Sequence, residues 1–183
     1  MLYYRNKAGS SEQGADMNDD CNGALHPKAI VGLKLFNRKQ FFESHEELES
    51  AWRDEKGAIR YLYQGVLQAA VTYLHITRGN YEGAVKLHER CMKLLKDYPD
   101  VCRGIQVGKL KNDVDNVIQE VQRLGRERIN EFNMSLFKNV EWSEQRVWTC
   151  DRCGSQMYEN NCKVVCPNCG NRFDCSDLNI YFD

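Results

Sequence analysis

Two groups of side chains in this sequence have the types and spacing to hold a metal ion. The first is Cys150-Asp151-Arg152-Cys153-Gly154 followed by Cys166-Pro167-Asn168-Cys169-Gly170, two C-x-x-C-G turns with twelve residues between Cys153 and Cys166. Four thiolates delivered by two such turns can occupy the corners of a tetrahedron around zinc. The glycine after each second cysteine frees the backbone to aim amides at the sulfurs. Cys150, Cys153, Cys166 and Cys169 would fill every coordination position, so this zinc would be structural. The second group is His45-Glu46-Glu47-Leu48-Glu49. On a helix Glu49 lies one turn beyond both His45 and Glu46, and Trp52 extends that face. With His75 from a later helix, His45 and Glu49 could chelate a second divalent ion. Glu46 would then be a fourth ligand or the catalytic general base for a metal-bound water.

A different reading of the second group needs no metal. Arg60, Gln64, Gln68 and His75 recur at spacings of four, four and seven, which puts them along one side of a helix. Glu46 and Glu49 could accept hydrogen bonds from Arg60, Gln64, Gln68 or Trp52 and so orient two helical hairpins as a polar network. The sequence also departs from the standard metal templates. H-E-x-x-H requires histidine where this chain has Glu49, and the paired Glu-x-x-His motif is missing because Phe42 and Thr72 stand three positions before His45 and His75. The network is the favoured reading and the metal site its alternative.

The elements that must position these groups are helical. Residues 1–25 show no apolar period and mix Gly, Ser, Asn and Asp, which predicts a disordered tail. Pro27 suits a helix first turn, and Ile30, Leu33, Leu35 and Phe36 give that helix an apolar side. A polar break over residues 37–40 precedes a second helix to Asp54. The third runs from Ile59 to Thr77, and the fourth from Tyr81 to Lys96. Gly65 and Ala69, four apart, leave room for a neighbouring helix, for which the His45 helix is the obvious candidate; the same stripe could serve an oligomer. The break at 37–42 recurs at 77–82, forty residues later, which suggests stacked hairpins of the tetratricopeptide kind. A fifth helix, about 108–124, closes the bundle, and 126–142 reads as a partly ordered connector. The fold class is therefore mainly α, a bundle of about five helices over 26–137, a linker over 138–146 and a small β zinc ribbon over 147–183.

The stretches Gly32-x-x-Leu35-Phe36-Asn37, Phe42-Glu43-x-His45-Glu46-x-Leu48-Glu49-x-x-Trp52-Arg53, Gln64-Gly65-x-x-Gln68-Ala69-Ala70, His75 and Gly79-Asn80-x-x-Gly83-Ala84 resemble the domain-of-unknown-function family 309. The resemblance covers about residues 27–95. It implies an all-helical bundle, and it implies a predicted metal-dependent hydrolase acting through the HExxE-like stretch.

Composition bounds the rest. The chain has 183 residues, 42% hydrophobic and 28% charged, enough for one ordinary domain and a small appendage. A net charge of -1 supplies no field to steer nucleic acid or membrane. No apolar run is long enough to span a membrane and no signal-peptide core opens the chain, so a soluble cytoplasmic protein is expected. Nine cysteines are an odd number, which with the C-x-x-C pairs favours metal over a disulfide framework. Cys21 and Cys102 read as isolated thiols, Cys91 as a core residue, and Cys162 and Cys175 as spare thiols able to substitute in a less regular site. His26 reads as loop and His88 as surface. In the ribbon, Arg152, Lys163 and Arg172 face Asp151, Glu159, Asp174, Asp177 and Asp183, an acidic balance unsuited to phosphate. A protein partner is expected there ahead of nucleic acid, with Leu178 to Phe182 as an apolar end strand. The function read from the sequence is a non-catalytic interaction or scaffold module; the alternative is the metal-dependent hydrolase.

Overall fold

The computed structural model describes residues 21–143, 147–160 and 163–174. Cys162, Cys175, the apolar end strand and the first twenty residues of the expected tail lie outside them. Five α-helices are present among the described residues: α1 (Pro27–Asn37), α2 (Phe41–Asp54), α3 (Ile59–Thr77), α4 (Tyr81–Leu95) and α5 (Val107–Arg128). A short hairpin, β1 (Val101–Cys102) and β2 (Ile105–Gln106), separates α4 from α5. Two 3-10 turns, Ile129–Glu131 and Met134–Leu136, follow α5. The ribbon is a meander of β3 (Val147–Thr149), β4 (Gln156–Asn160), β5 (Lys163–Val165) and β6 (Arg172–Asp174), each strand antiparallel to the next. No helix among the described residues is long and apolar enough to cross a membrane.

The forty-residue recurrence is a repeat of hydrogen bonds. In the turn after α1, Arg38 N donates to Lys34 O and Leu35 O, Lys39 N to Phe36 O and Gln40 N to Leu35 O. After α3, Arg78 N donates to Leu74 O and His75 O, Gly79 N to Ile76 O and Asn80 N to His75 O. Both turns need one residue in the left-handed region. Gly79 meets that need without strain at φ 67°, but the first turn places Lys39 there at φ 60°. Lys39→Gly is therefore expected to raise the unfolding free energy by about 1 kcal/mol, measured by urea denaturation; a loss of stability would mean that the lysine side chain contributes more than its backbone costs.

The two hairpins, α1–α2 and α3–α4, bury α3 between them. Leu62, Tyr63, Val66, Ala69, Ala70 and Tyr73 of α3 are fully buried. Gly65 is filled, but not by the His45 helix as expected. A Cβ there would stand 2.4 Å from Leu95 Cδ2, so the small residue admits α4 instead. An aromatic cluster closes the far end of the bundle: Phe41 lies 5.5 Å from Phe36, and Tyr73 stacks on Phe137 at 4.3 Å. The amphipathic stripe of α5, with Val114, Val117, Ile118 and Val121, lies in this same core.

Three expectations change at the margins. Cys21, Gly23 and Leu25 are buried, so the last residues of the supposed tail belong to the domain. The segment after α5 is also packed: Phe137 and Val140 are buried, and Asn37 holds Val140 by both its N–H and its C=O. Trp142 then bridges to Ile105 beside β2. The packed unit thus continues to Ser143, past the boundary expected at 137, because Asn37 at the end of α1 and the β1–β2 hairpin together satisfy the connector's backbone. Cys21 and Cys102 are joined in a disulfide and are not isolated thiols.

Candidate metal centre

The ribbon's two C-x-x-C turns are copies of one another. Cys150 N donates to Ser155 O and Gly154 N to Cys150 O, both at 2.8 Å; sixteen residues on, Cys166 N donates to Asn171 O at 2.8 Å and Gly170 N to Cys166 O at 3.0 Å. Gly154 and Gly170 take left-handed φ values of 73° and 71°, which reverse each turn. The strand pairing then brings the turns face to face. Cys150 Sγ lies 3.6 Å from Cys169 Sγ and Cys153 Sγ 3.5 Å from Cys166 Sγ, with all four sulfurs within 4.8 Å of one another. A tetrahedral zinc with Zn–S bonds of about 2.3 Å separates its sulfurs by a little under 4 Å, so the donor set and its spacing fit that ion.

Amides and one hydroxyl are aimed at the sulfurs. Arg152 and Cys153 donate their backbone N–H to Cys150, and Asn171 donates its own to Cys169. The Ser155 hydroxyl and amide together hold the Cys153 thiol down to about 6. Asn171 Nδ2 reaches across to Cys150 Sγ at 3.7 Å and Asp151 Oδ1 at 2.7 Å, tying the second turn to the first. Ser155 and Asn171 were not singled out in the sequence, although each is the residue after a C-x-x-C-G turn and that equivalence is visible there. The sheet encloses a small core of Met157 and Val164, both fully buried, flanked by Trp148 and Phe173.

The second group of candidates does not converge. Among the described residues no set of three or more His, Cys, Asp or Glu other than the four cysteines is placed to share an ion. His45 stacks on Phe42 of its own helix, and Glu46 is exposed. Glu49 accepts from Arg53 one turn on at 2.8 Å. Nor do these carboxylates form the expected network across the hairpins. Arg60 lies over the Trp52 ring, 5.3 Å from its centre, because a planar guanidinium gains more from an aromatic face than from a carboxylate already engaged. Trp52 Nε1, Arg60 Nε and Gln68 Oε1 are buried with no hydrogen-bond partner among the described residues, and Gln64 is half-buried on the same helix.

His75 has a local task. Its Nδ1 lies 2.8 Å from Asn80 Nδ2, while Asn80 Oδ1 accepts from Gly83 N and caps α4. A Cβ on Gly83 would come within 2.6 Å of that Nδ1, so the His75, Asn80 and Gly83 pattern is the corner of the second hairpin. Burial first, and then Arg78, lower the His75 pKa from the ordinary 6.5. A base with a lowered folded pKa binds fewer protons folded than unfolded. Its contribution is complete above the ordinary value and declines as pH falls through the window below it. Between about pH 7.5 and pH 5, the wild-type Tm should therefore drop further than that of His75→Gln; equal slopes would show that His75 does not report on folding.

Of the other two histidines, His26 lies in the loop before α1, as expected, and caps that helix by accepting from Lys28 N, while its own amide donates to the Tyr63 hydroxyl. His88 is largely buried and pairs with Asp115 of α5 at 2.5 Å, since the α4 face taken for surface is where α5 docks. Cys91 is fully buried, and burial pushes its thiol up to about 12, as befits a core residue.

Residues 30–87, the stretch from α1 into α4, match the family described as domain of unknown function (DUF309). They form a DUF309 domain. Residues 148–179 match a family described as zinc finger protein-like. An uncharacterized protein of Aquifex aeolicus (strain VF5) is 26% identical over 105 residues, which is 51% of this chain and 32% of that protein. The uncharacterized protein YpuF of Bacillus subtilis (strain 168) is 26% identical over 103 residues, 54% of this chain and 59% of YpuF. The chain thus spans less than two thirds of either relative. The DUF309 motif residues have structural places: Gly32 O accepts from Ser44 Oγ at 2.8 Å, Leu48 fills the space above Gly32, and His75 and Asn80 build a turn.

Proposed function

We propose that this chain is a zinc-binding, non-catalytic interaction module of the cytoplasm, in which the DUF309 bundle is the scaffold and the ribbon docks a protein partner. The observation that carries this reading is the closed four-thiolate site: it uses every coordination position of its ion, so it can hold shape but cannot activate water. On the ribbon, Val165 is 40% exposed and pairs in register with Arg172, an apolar residue beside a cation. That mixture suits a protein surface, and the acidic balance of the ribbon disfavours phosphate.

The test is metal content of the full chain by elemental analysis, with hydrolysis of phosphoester and amide substrates assayed in added zinc, manganese and magnesium. One zinc per chain, lost in Cys150→Ser/Cys166→Ser and unaffected by His45→Ala, with no metal-stimulated turnover, is the expected result. Metal retained by the cysteine variant and lost on His45→Ala would restore the hydrolase reading.

A further inference from the structure

We propose that the seam between α2 and α3 at Trp52, Arg60 and Tyr61, continued along α3 by Gln64 and Gln68, binds an extended segment of a protein partner through a single carboxylate. This surface belongs to the bundle and goes beyond the ribbon docking proposed above. Its centre is a cation without a counter-charge. The guanidinium of Arg60 lies 5.3 Å from the centre of the Trp52 ring and 5.8 Å from that of Tyr61. Among the described residues it forms no ion pair, and its Nε has no hydrogen-bond partner. Glu49 of α2 is already engaged by Arg53 at 2.8 Å. Two rings hold the guanidinium in place, so an incoming carboxylate meets a fork that is ordered beforehand. Tyr61 is 48% exposed, and Trp52 and Arg60 are half-buried beside it. Trp, Tyr and Arg are the residue types that carry most of the binding energy where proteins meet.

The shape of the occupant follows from the two amides. Gln64 and Gln68 succeed Arg60 at intervals of four on one side of α3, and both are half-buried. Gln68 Oε1 has no donor among the described residues, so turning it outward to a ligand gives up no hydrogen bond. A primary amide both donates and accepts, as a peptide backbone does. Four residues of helix rise about 6 Å, and two residues of an extended chain span about 6.7 Å. Successive glutamines therefore meet backbone groups that recur on one side of a strand, groups that a helical partner would keep for itself. The charge of the occupant is limited as well. Glu43 and Glu46 are exposed on α2 and repel a polyanion, so one carboxylate among uncharged residues fits and a phosphate chain does not. A sequence built for stability alone would set an acid against Arg60 or replace it with an apolar side chain; unpaired polar groups gathered in one place are the mark of a binding surface.

The test presents the zinc-loaded full chain to an array of decapeptides, each with one Asp or Glu among uncharged residues. The same peptides with Asn or Gln, and a single-stranded DNA oligonucleotide, stand beside them. The tightest peptide is then titrated into nitrogen-15-labelled chain. The expected result is binding that requires the carboxylate, with shifts at the Trp52 indole N–H and at the amides of Tyr61, Gln64 and Gln68. Arg60→Gln should weaken it about tenfold or more with helical circular dichroism unchanged. Tyr61→Ala, at an exposed position, should weaken it too and stands in if the arginine variant unfolds. No preference for the acidic peptides over their amide counterparts would overturn the proposal, as would shifts in the ribbon instead, an affinity unchanged in either variant, or the oligonucleotide binding at Arg60. Self-association in analytical ultracentrifugation that is lost in Arg60→Gln would give the face to a second copy of the chain and overturn it equally.

Discussion

Chelating the zinc from the full chain is expected to unfold the ribbon and leave the helical bundle standing. Among the described residues the ribbon's fully enclosed side chains are few, Met157 and Val164 with Cys150 and Cys166 almost as deep, and so small a core cannot offset the entropy of ordering four strands. Structural zinc sites of this kind contribute about 10–16 kcal/mol of apparent binding free energy at neutral pH, so the ion dominates the local balance. The bundle draws on a separate core built mainly from α1 to α5, which among the described residues includes none from the ribbon. Hydrogen exchange should show the amides of Cys150, Gly154, Cys166 and Gly170 losing protection on chelation while those of α3 keep theirs. Continued protection of the four turn amides without metal would mean that the sheet folds unaided; simultaneous loss in α3 would mean that ribbon and bundle share one cooperative unit.

Leu48→Ala should cost about 2–5 kcal/mol, whereas Glu46→Gln, two residues away in the same conspicuous stretch, should stay within about 0.5 kcal/mol. Leu48 is fully buried, and a Cβ on Gly32 of α1 would stand only 2.7 Å from Leu48 Cγ, so truncation opens a cavity where α2 packs on Gly32 of α1. Glu46 is exposed. Urea denaturation of the two variants separates the readings of the stretch. A cost for Glu46→Gln comparable with that for Leu48→Ala would reinstate the polar network, and a folded Glu46→Gln that abolished a metal-dependent turnover would reinstate the hydrolase.

Much of this protein was legible before any coordinates. The four ribbon cysteines could be named because metal ligation is a local problem: two residues between cysteines and a glycine after the second specify a turn, and two identical turns specify a tetrahedral site. The helices could be placed because apolar periodicity and the polar breaks at 37–40 and 77–80 are equally local. The recurrence forty residues apart was visible as residue types and became, in the structure, a shared set of turn hydrogen bonds.

What the tertiary structure decided depends on which faces meet. A helical stripe says that His45, Glu49, Arg60 and His75 lie on particular sides of their helices. It does not say whether those sides converge, and a rotation of either helix by part of a turn separates an ion's ligands. Here Glu49 found Arg53 and His75 found Asn80, each within a few residues, because a partner on the same or the next element comes without the entropy of closing a long loop. The opposite case is Cys21 and Cys102, two single cysteines with no spacing signal, brought together across 81 residues only because the chain's first described segment returns to the hairpin after α4. The same holds for Asn37 and Val140. Sequence determined the elements and the zinc turns because those obey short-range stereochemistry; contacts between distant segments were settled by the packing of the whole bundle.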